Sequence, residues 1–348
     1  MDHMKKFRVA LTADFYDAAG TLRYRDIGLD LLRQSATHEI SCFETHCSPI
    51  EPQQLAGANG VIVLSPRVTA YSLSASNDLL AIGRFGVGYD SVDVAACTAA
   101  DVLLYITVGA VDHSVAEATV GWMLALTLQM RTKDQLVRTG EWDARSRFMG
   151  SELRDRVLGI VGFGGIGRAV VKMLSGFGMQ PPLIFDPFVT AEAIAAVGGS
   201  QVSLDELLTQ ADFVSLHCPL NDKTRHLLGE RELSLMKPTA YLLNTARGGI
   251  VNEDALYLAL KERRIAGAAL DCFESEPLMF PPRWAELDNV LLAPHSIAWT
   301  DELFRDIGRS ACQGMLDLAR GIQPRGIVNP GVLTRPGFQA KWDRLRIS

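Results

Sequence analysis

The sequence has 348 residues, of which 48% are hydrophobic and 21% are charged, and its formal net charge is −6. A chain of this length can form about two domains, each with a sizeable core. The mildly acidic balance, with no basic run, argues against nucleic acid or an anionic membrane as the main partner.

The first hundred residues alternate between strand-like and helix-like patterns. The N-terminal fifteen residues have too short an apolar core, and no small-residue cleavage site, for a signal peptide. Short buried strands are predicted at 7–13, 60–65, 81–86 and 102–107. Helical stretches are predicted at 26–35 and 78–83. This alternation is typical of an α/β fold with parallel strands.

A long helix is predicted after Thr107. Ser114 is followed three residues later by Glu117, which is the capping-box pattern of a helix start. The segment 115–130 is apolar, but Glu117, Thr119 and Gln129 interrupt it. We therefore interpret it as an amphipathic or buried helix and expect no membrane span.

A second alternation follows the polar loop at 140–156. Its six candidate strands lie at 157–163, 182–186, 212–218, 240–245, 267–273 and 289–294. They predict a doubly wound sheet. The chain then returns to a helix at 301–320 and a tail punctuated by Pro and Gly. The predicted layout is a small first domain, an inserted second domain, and a C-terminal helix that crosses back.

A glycine motif lies at the first strand of this second sheet. Gly162, Gly164 and Gly167 form GxGxxG between a strand and a helix. Alone the motif is weak, because it can be only a tight turn, but here it has the strand–loop–helix context of a dinucleotide fingerprint. We predict that Gly162, Gly164, Gly165, Ile166 and Gly167 bind a pyrophosphate at the helix N-terminus.

Asp186 ends the next strand, nineteen residues after Gly167. An acid at about this spacing binds the ribose hydroxyls of the cofactor and repels a 2′-phosphate. No Lys or Arg occurs from 187 to 200 to accommodate that phosphate. The sequence therefore favours NAD over NADP, with a helix cap or turn as the structural alternative for Asp186.

Three further side chains follow predicted strands of the second sheet. Arg247 follows AYLLNTA, Glu276 follows ALDCFES, and His295 follows NVLLAP. Ligands of open α/β sheets collect at the carboxyl ends of strands. Singly, each residue has a structural alternative: a surface cap for Arg247, a turn acid for Glu276, and a core histidine for His295.

Together the three side chains form a chemical set. Arginine presents a two-pronged donor to a carboxylate. Histidine can give and take a proton near neutral pH, and a neighbouring carboxylate favours its charged form. Reduction of a 2-keto acid needs a hydride for carbon, a proton for oxygen and a cation for the carboxylate. We therefore predict Arg247, Glu276 and His295 as catalytic residues.

Over nearly its whole length the chain resembles the D-isomer-specific 2-hydroxyacid dehydrogenase family. The matching segments are RFGVGYDSVDVAACTAADV, SVAEATVGWMLAL, GSELRDRVLGIVGFGGIG, HCPLNDKTRHLLG, MKPTAYLLNTARGGIVNEDAL, ALDCFESEP and NVLLAPH. The resemblance implies two doubly wound Rossmann-like domains. It places an NAD-binding domain at 111–300, inserted into a smaller, discontinuous, flavodoxin-like substrate domain at 1–110 and 301–348. It also implies a homodimer formed through the NAD-binding domain.

The resemblance also implies residue roles. It assigns Arg247 to the substrate carboxylate and carbonyl, Glu276 to partnering the histidine, and His295 to acid/base chemistry. The turn at Val87 and Gly88 would supply amides to the substrate carboxylate. Arg247 and His295 would also contact the cofactor, along with His217, Pro219, Thr224, Thr245, Ala246 and Asp271.

The sequence departs from the family pattern near the catalytic histidine, where it reads His-Ser-Ile-Ala-Trp. Trp299 either lines the pocket and sets substrate size, or packs between the domains. Arg67 either binds a second acidic group of the substrate or is an ordinary loop arginine. Asp112 and His113 either lie near the cleft or belong to a solvated or capping loop.

The six cysteines have neither CxxC pairs nor zinc-ligand spacing. We expect reduced thiols in a cytoplasmic protein with no metal, and interpret Cys218 and Cys272 as packing residues.

The leading hypothesis is an NAD-dependent oxidoreductase that acts on a D-2-hydroxyacid or its 2-keto form. One alternative is a 3-phosphoglycerate-type dehydrogenase, although little sequence follows Pro330 for a regulatory domain. Others are a nucleotide-sensing protein of the corepressor kind, and the formate or phosphite dehydrogenase branches. The small-molecule substrate itself is not predicted.

Overall fold

The computed structural model describes residues 6–347. Residues 1–5 and Ser348, which the predicted substrate domain includes, lie outside the described residues. By their internal contacts, residues 112–298 form one compact unit, and the chain on either side of them, up to 111 and from 299, forms the other. We call the flanking segments the first unit and the inserted segment the second unit. Among residues 6–347, no helix combines the length and apolarity needed to span a bilayer.

The elements alternate along the chain. The strands are β1 (Phe7–Leu11), β2 (His38–Cys42), β3 (Gly60–Val63), β4 (Ala81–Arg84), β5 (Leu103–Ile106), β6 (Leu158–Val161), β7 (Leu183–Phe185), β8 (Ser200–Gln201), β9 (Phe213–Leu216), β10 (Tyr241–Asn244), β11 (Gly267–Leu270) and β12 (Val290–Leu292). The α-helices are α1 (Asp30–Arg33), α2 (Val94–Ala99), α3 (Asp112–Thr127), α4 (Met130–Thr139), α5 (Gly165–Leu174), α6 (Ala191–Ala195), α7 (Leu204–Gln210), α8 (Glu230–Leu235), α9 (Glu253–Lys261), α10 (Asp301–Ala319) and α11 (Pro336–Leu345).

The first unit is built on a five-stranded parallel sheet in the order β2-β1-β3-β4-β5. This is the flavodoxin-like order, in which the chain changes direction between β1 and β3. Strand β3 is buried at every position, as expected for a strand covered on both faces.

The second unit holds a seven-stranded parallel sheet in the order β12-β11-β10-β9-β6-β7-β8. Strands β6 and β9 are neighbours, although β7 and β8 lie between them in sequence. The order therefore reverses there, and the carboxyl ends of β6 and β9 flank the crevice where such sheets bind ligands.

Local sequence explains where several helices start. The side chains of Asp93, Asn252 and Thr300 accept hydrogen bonds from the first turns of α2, α9 and α10. Ser203 and Glu206 form a reciprocal capping box at α7. Each cap pairs backbone amides that have no partner within the helix.

Several local predictions were wrong. Residues 78–83 were predicted to be helical, but buried Leu79 and Leu80 lead directly into β4. Ser114 was predicted to start α3, yet the helix begins at Asp112, so Ser114 lies within its first turn. The largely polar strands β2 and β8 were not predicted, and the tail contains α11.

Candidate active site

The glycine motif forms a tight turn between β6 and α5. Gly162 has φ +94°, and a Cβ at this position would lie 2.7 Å from the amide nitrogen of Cys218. A Cβ at Gly167 would lie 2.6 Å from the carbonyl oxygen of Gly162. At Gly164, by contrast, a Cβ would meet nothing within 4 Å. The turn is therefore closely packed inside and open outside, which fits a backbone that a pyrophosphate approaches.

Asp112 packs against the start of the nucleotide helix. A Cβ at Gly165 would overlap the Asp112 carboxylate, so the glycine leaves room for the Asp112 side chain beside the start of α5. Burial raises the pKa of the Asp112 carboxyl. The neighbouring His113 is exposed, and its Nε2 lies 3.5 Å from Glu117 one turn along α3. The structure thus gives Asp112 a packing contact and leaves His113 on the helix surface.

Asp186 follows β7, next to the glycine turn. One carboxylate oxygen accepts a hydrogen bond from the amide of Phe163 at 2.7 Å, and the other accepts one from the amide of Phe188 at 2.8 Å. These hydrogen bonds hold the glycine turn in place. The carboxylate also lies where an acid that binds the ribose is expected.

His217 follows β9 on the other side of the crevice. Its Nε2 lies 2.8 Å from the hydroxyl of Ser215, whereas its buried Nδ1 has no hydrogen-bond partner among residues 6–347. Burial lowers the pKa of His217 to about 4. The imidazole is therefore neutral at physiological pH, and its unsatisfied nitrogen offers a contact to a ligand.

Arg247 lies in a turn organised by Asn244, the buried last residue of β10. The Asn244 side chain accepts a hydrogen bond from the amide of Ala246 and donates one to the carbonyl oxygen of Arg247. The Arg247 guanidinium donates to the carbonyl oxygen of Ala246 at 2.7 Å. Next to this turn, the hydroxyls of Thr245 and Thr119 lie 3.3 Å apart.

Asp271, immediately after β11, fixes the loop that carries the histidine. Its buried carboxylate accepts hydrogen bonds from the amides of Ser296 at 2.8 Å and Ile297 at 3.1 Å. Burial raises the pKa of Asp271, against the opposing effect of these two amides. His295 itself has φ +54°, an uncommon conformation for a residue with a side chain, and one that is found mainly where the surrounding structure imposes it.

Glu276 and His295 form a hydrogen-bonded pair. The Nδ1 of His295 lies 2.8 Å from Oε2 of Glu276, whose Oε1 accepts from the amide of Phe273 at 2.9 Å. Burial alone raises the pKa of Glu276, but the bonds from His295 and Phe273, together with the charges of His295 and Arg247, hold that pKa below its ordinary value. The ionised carboxylate can only accept, so Nδ1 carries the donated proton and Nε2 points away from Glu276.

Residues 120–296 match the family described as D-isomer specific 2-hydroxyacid dehydrogenase, NAD binding domain. The chain belongs to this family. NAD is the cofactor of the family domain, and the glycine turn, Asp186 and the unsatisfied nitrogen of His217 fit it.

Individual relatives agree with this assignment. The chain is 35% identical over 349 residues to a glyoxylate reductase of Aeropyrum pernix, covering 96% of this chain and all of that protein. It is 39% identical over 279 residues to a D-3-phosphoglycerate dehydrogenase of Methanocaldococcus jannaschii, covering 80% of this chain. The chain spans about half the length of the curated phosphoglycerate dehydrogenases it matches.

Solved structures confirm the predicted fold class. The structure superimposes with a TM-score of 0.80 on the TT0316 protein of Thermus thermophilus, at 29% identity over 92% of this chain and 99% of that one. A D-lactate dehydrogenase of Aquifex aeolicus, solved with NAD and lactic acid, gives 0.78 at 28% identity, with the same coverage of both chains.

The predicted substrate-binding residues Arg67, Val87, Gly88 and Trp299 lie in the first unit. Pro219 and Thr224, which were predicted to bind the cofactor, lie in the second unit, where the Thr224 hydroxyl donates to the carbonyl oxygen of Pro219 at 2.6 Å. Val87 and Gly88 follow β4 in a turn where the amide of Gly86 donates to the hydroxyl of Thr107. Arg67 is exposed after β3, and its backbone bonds to Ser48 and Ile50.

Trp299 is 53% exposed, and its ring meets those of Tyr24 and Phe304 edge-on. Tyr24 and Phe304 stack with ring centroids 4.0 Å apart. This aromatic cluster was not predicted, because Tyr24 is far from Trp299 and Phe304 along the chain. The position of the Cys272 thiol beside Glu276 and His295 was not predicted either.

Proposed function

We propose that the protein is an NAD-dependent oxidoreductase that interconverts a D-2-hydroxyacid and its 2-keto acid. The observation that carries the proposal is the Glu276–His295 pair at the carboxyl edge of the sheet that holds the glycine turn. Arg247 lies in the turn after β10, and its charge acts on Glu276. An acid/base group and a cation for a carboxylate are thus combined with a dinucleotide site.

In the reductive direction, His295 donates the proton on Nε2 to the carbonyl oxygen as that oxygen gains charge. Glu276 stabilises the charged imidazole and orients it through Nδ1. Arg247 pairs with the substrate carboxylate and polarises the adjacent carbonyl. NADH, when bound, supplies the hydride that reduces the carbonyl carbon. In the oxidative direction, His295 accepts the hydroxyl proton.

We assign cofactor binding to the residues around the crevice of the second unit. Asp186 would hold the ribose hydroxyls and disfavour NADP, and the glycine turn would hold the pyrophosphate. The other proposed contacts are Ile166, His217, Pro219, Thr224, Thr245, Ala246, Arg247, Asp271 and His295. The corresponding NAD-binding domain is 111–300.

We assign further substrate binding to residues of the first unit. Val87 and Gly88 would donate amides to the carboxylate, and Arg67 and Trp299 would contact the remainder of the substrate. The substrate domain would comprise 1–110 and 301–348. A homodimer formed through the NAD-binding domain stays a proposal. It is supported by the apolar side chains exposed on and after α4, namely Val137, Trp142 and Met149. Light scattering of the purified protein tests it.

NADH consumption at neutral pH with a panel of 2-keto acids tests the proposed activity. The panel comprises glyoxylate, hydroxypyruvate, pyruvate, 2-oxoglutarate, phenylpyruvate and phosphohydroxypyruvate, with formate and phosphite tested against NAD. We expect turnover of at least one keto acid. NADH binding without turnover of any of them would contradict the proposal and favour a nucleotide-sensing role.

A second candidate is oxidation of 3-phosphoglycerate. It is favoured by the 39% identity to a relative named for that activity. Arg67 is an exposed cation that suits a phosphate. A preference for phosphohydroxypyruvate over glyoxylate, lost in Arg67→Gln, would select this candidate.

A further inference from the structure

Cys272 lies beside the acid/base pair. It follows Asp271, two residues after the end of β11, and only 3% of its surface is exposed. One ligand atom from each of Cys272, Glu276 and His295 lies within 4.8 Å of the other two. The cluster therefore combines a thiol, a carboxylate and an imidazole.

We propose that Cys272, Glu276 and His295 bind a thiophilic divalent cation, typified by Zn²⁺, and that this ion inhibits the enzyme. Occupancy would engage the His295 ring and the Glu276 carboxylate, which the acid/base step requires. The inhibition rests on the proposed function, whereas the binding of the metal does not.

The donor set selects the class of ion. Zinc binds sulfur, imidazole nitrogen and carboxylate oxygen, whereas Mg²⁺ and Ca²⁺ prefer oxygen alone. Three protein ligands also leave one position for water, as zinc sites with open coordination do. The negative thiolate and carboxylate offset the two positive charges of the ion, although the nearby guanidinium of Arg247 weakens the attraction.

The geometry requires only local adjustment. Ligand atoms about 2.0–2.3 Å from a tetrahedral ion are roughly 3.5 Å apart, so the widest separation here must close by about 1 Å. Glu276 and His295 can supply that movement because their side chains are 37% and 45% exposed. Cys272 is held in place by its burial, with Sγ 3.5 Å from the carbonyl oxygen of Ala246. On binding, a metal–sulfur bond replaces the S–H bond, and the thiol proton leaves to solvent. The neutral His295 ring binds the ion through whichever nitrogen carries no proton.

Titration of the full-length protein with Co²⁺ tests the binding directly, because a cobalt–thiolate bond absorbs in the near ultraviolet. We expect this absorption in the wild type, its displacement by Zn²⁺, and its loss in Cys272→Val. Cys42→Ala, which removes an exposed thiol of the first unit, should leave it unchanged. Equal absorption in Cys272→Val and the wild type would overturn the proposal, as would no absorption in the wild type.

Inhibition is measured separately, as NADH consumption in the presence of Zn²⁺. Cys272→Val should keep its turnover, and EDTA should restore the zinc-inhibited wild type. Loss of an outer-shell partner lowers metal affinity roughly 10–100-fold. Loss of the direct ligand Cys272 should therefore raise the inhibitory Zn²⁺ concentration by more than this factor. Unchanged sensitivity in Cys272→Val would contradict the inhibitory role. If no keto acid turns over, the cobalt signal still reports on the site independently of the proposed function.

Discussion

His295 Nδ1 lies 2.8 Å from Oε2 of Glu276, and the backbone of His295 is held at φ +54°. Two separate sets of hydrogen bonds hold this arrangement. Asp271 binds the amides of Ser296 and Ile297 and so fixes the loop, while the amide of Phe273 fixes the carboxylate of Glu276. The imidazole is thus oriented from both sides before substrate arrives, which is the pre-organisation that acid/base catalysis needs.

His295→Gln removes the proton donor but keeps a polar side chain. We expect kcat to fall by about 10²–10⁴-fold, the usual contribution of general acid–base catalysis, with NADH affinity nearly unchanged. Steady-state turnover measures kcat, and fluorescence titration measures the affinity for NADH. The matched control is His226→Gln, because the ring of His226 also pairs with a carboxylate, that of Glu274, at 3.0 Å. Wild-type turnover in His295→Gln would refute the acid/base assignment.

Glu276→Gln removes the charge that holds the histidine. A hydrogen bond to a charged group contributes about 1.5–3 kcal/mol. Its loss from the transition state predicts a decrease in kcat of roughly 10- to 150-fold. Glu274→Gln removes an equal charge two residues away and should change kcat by less than about twofold. If both variants lose the same activity, Glu276 has no specific role.

Asp186→Ala should relax the discrimination against NADPH. We expect the ratio of kcat/KM for NADH to that for NADPH to fall at least about tenfold, because the charge that repels the 2′-phosphate is lost. Asp186 also braces Phe163 and Phe188, so NADH turnover should fall as well. Glu192→Ala, which removes an exposed acid on α6, is the control. An unchanged ratio in Asp186→Ala would show that a residue other than Asp186 binds the ribose.

His217 should make stability depend on pH. Its pKa is about 4 when folded, below the ordinary 6.5, so between these values the unfolded chain binds more protons. The contribution of neutral His217 to the free energy of unfolding is therefore fully present above pH 6.5. It decreases as the pH falls towards 4, and about 2 kcal/mol of it is lost at pH 5. Urea midpoints of the wild type and His217→Gln at pH 7.5, 6 and 5 test this. The urea midpoint of His217→Gln should rise relative to that of the wild type as the pH falls. A constant difference would show that His217 is accessible to protons in the folded state.

Gly165→Ala should destabilise the second unit, because the new methyl group would overlap the Asp112 carboxylate. The clashing atoms lie at the end of a rotatable side chain, so we expect a cost at the lower end of the roughly 1–3 kcal/mol that is typical of overpacking. Asp112→Ala in the same chain should recover part of that loss, since it removes the atoms that clash. Thermal unfolding of the two single variants and the double variant completes the cycle. Strict additivity would mean that the two residues do not interact.

Much of the fold was predictable because periodicity and turn chemistry are local. The apolar runs that became β3, β6, β9, β10 and β11 read as buried strands, and the glycine turn stood out from its strand–loop–helix context. The errors also have physical causes. Strand β2 carries the polar residues His38, Glu39 and Ser41, so its sequence lacks the apolar run of a buried strand, and its pairing with β1 became visible only in the structure. The capping-box pattern predicted that α3 starts at Ser114, but the helix begins two residues earlier at Asp112, whose side chain lies against Gly165.

The α/β class, the nucleotide motif and the residue types of the acid/base set were predictable from the sequence, because each depends on spacing along the chain. Which side chains meet depends instead on how the strands and loops pack in the folded protein. The Glu276–His295 pair joins residues 19 apart, and the Asp271 contacts that fix its loop join residues 25 and 26 apart. Cys272 and the ring contacts of Trp299 were likewise set by folding. Parallel strands bring their carboxyl ends to one edge of a sheet, so residues distant in sequence become neighbours through pairing that no local pattern encodes.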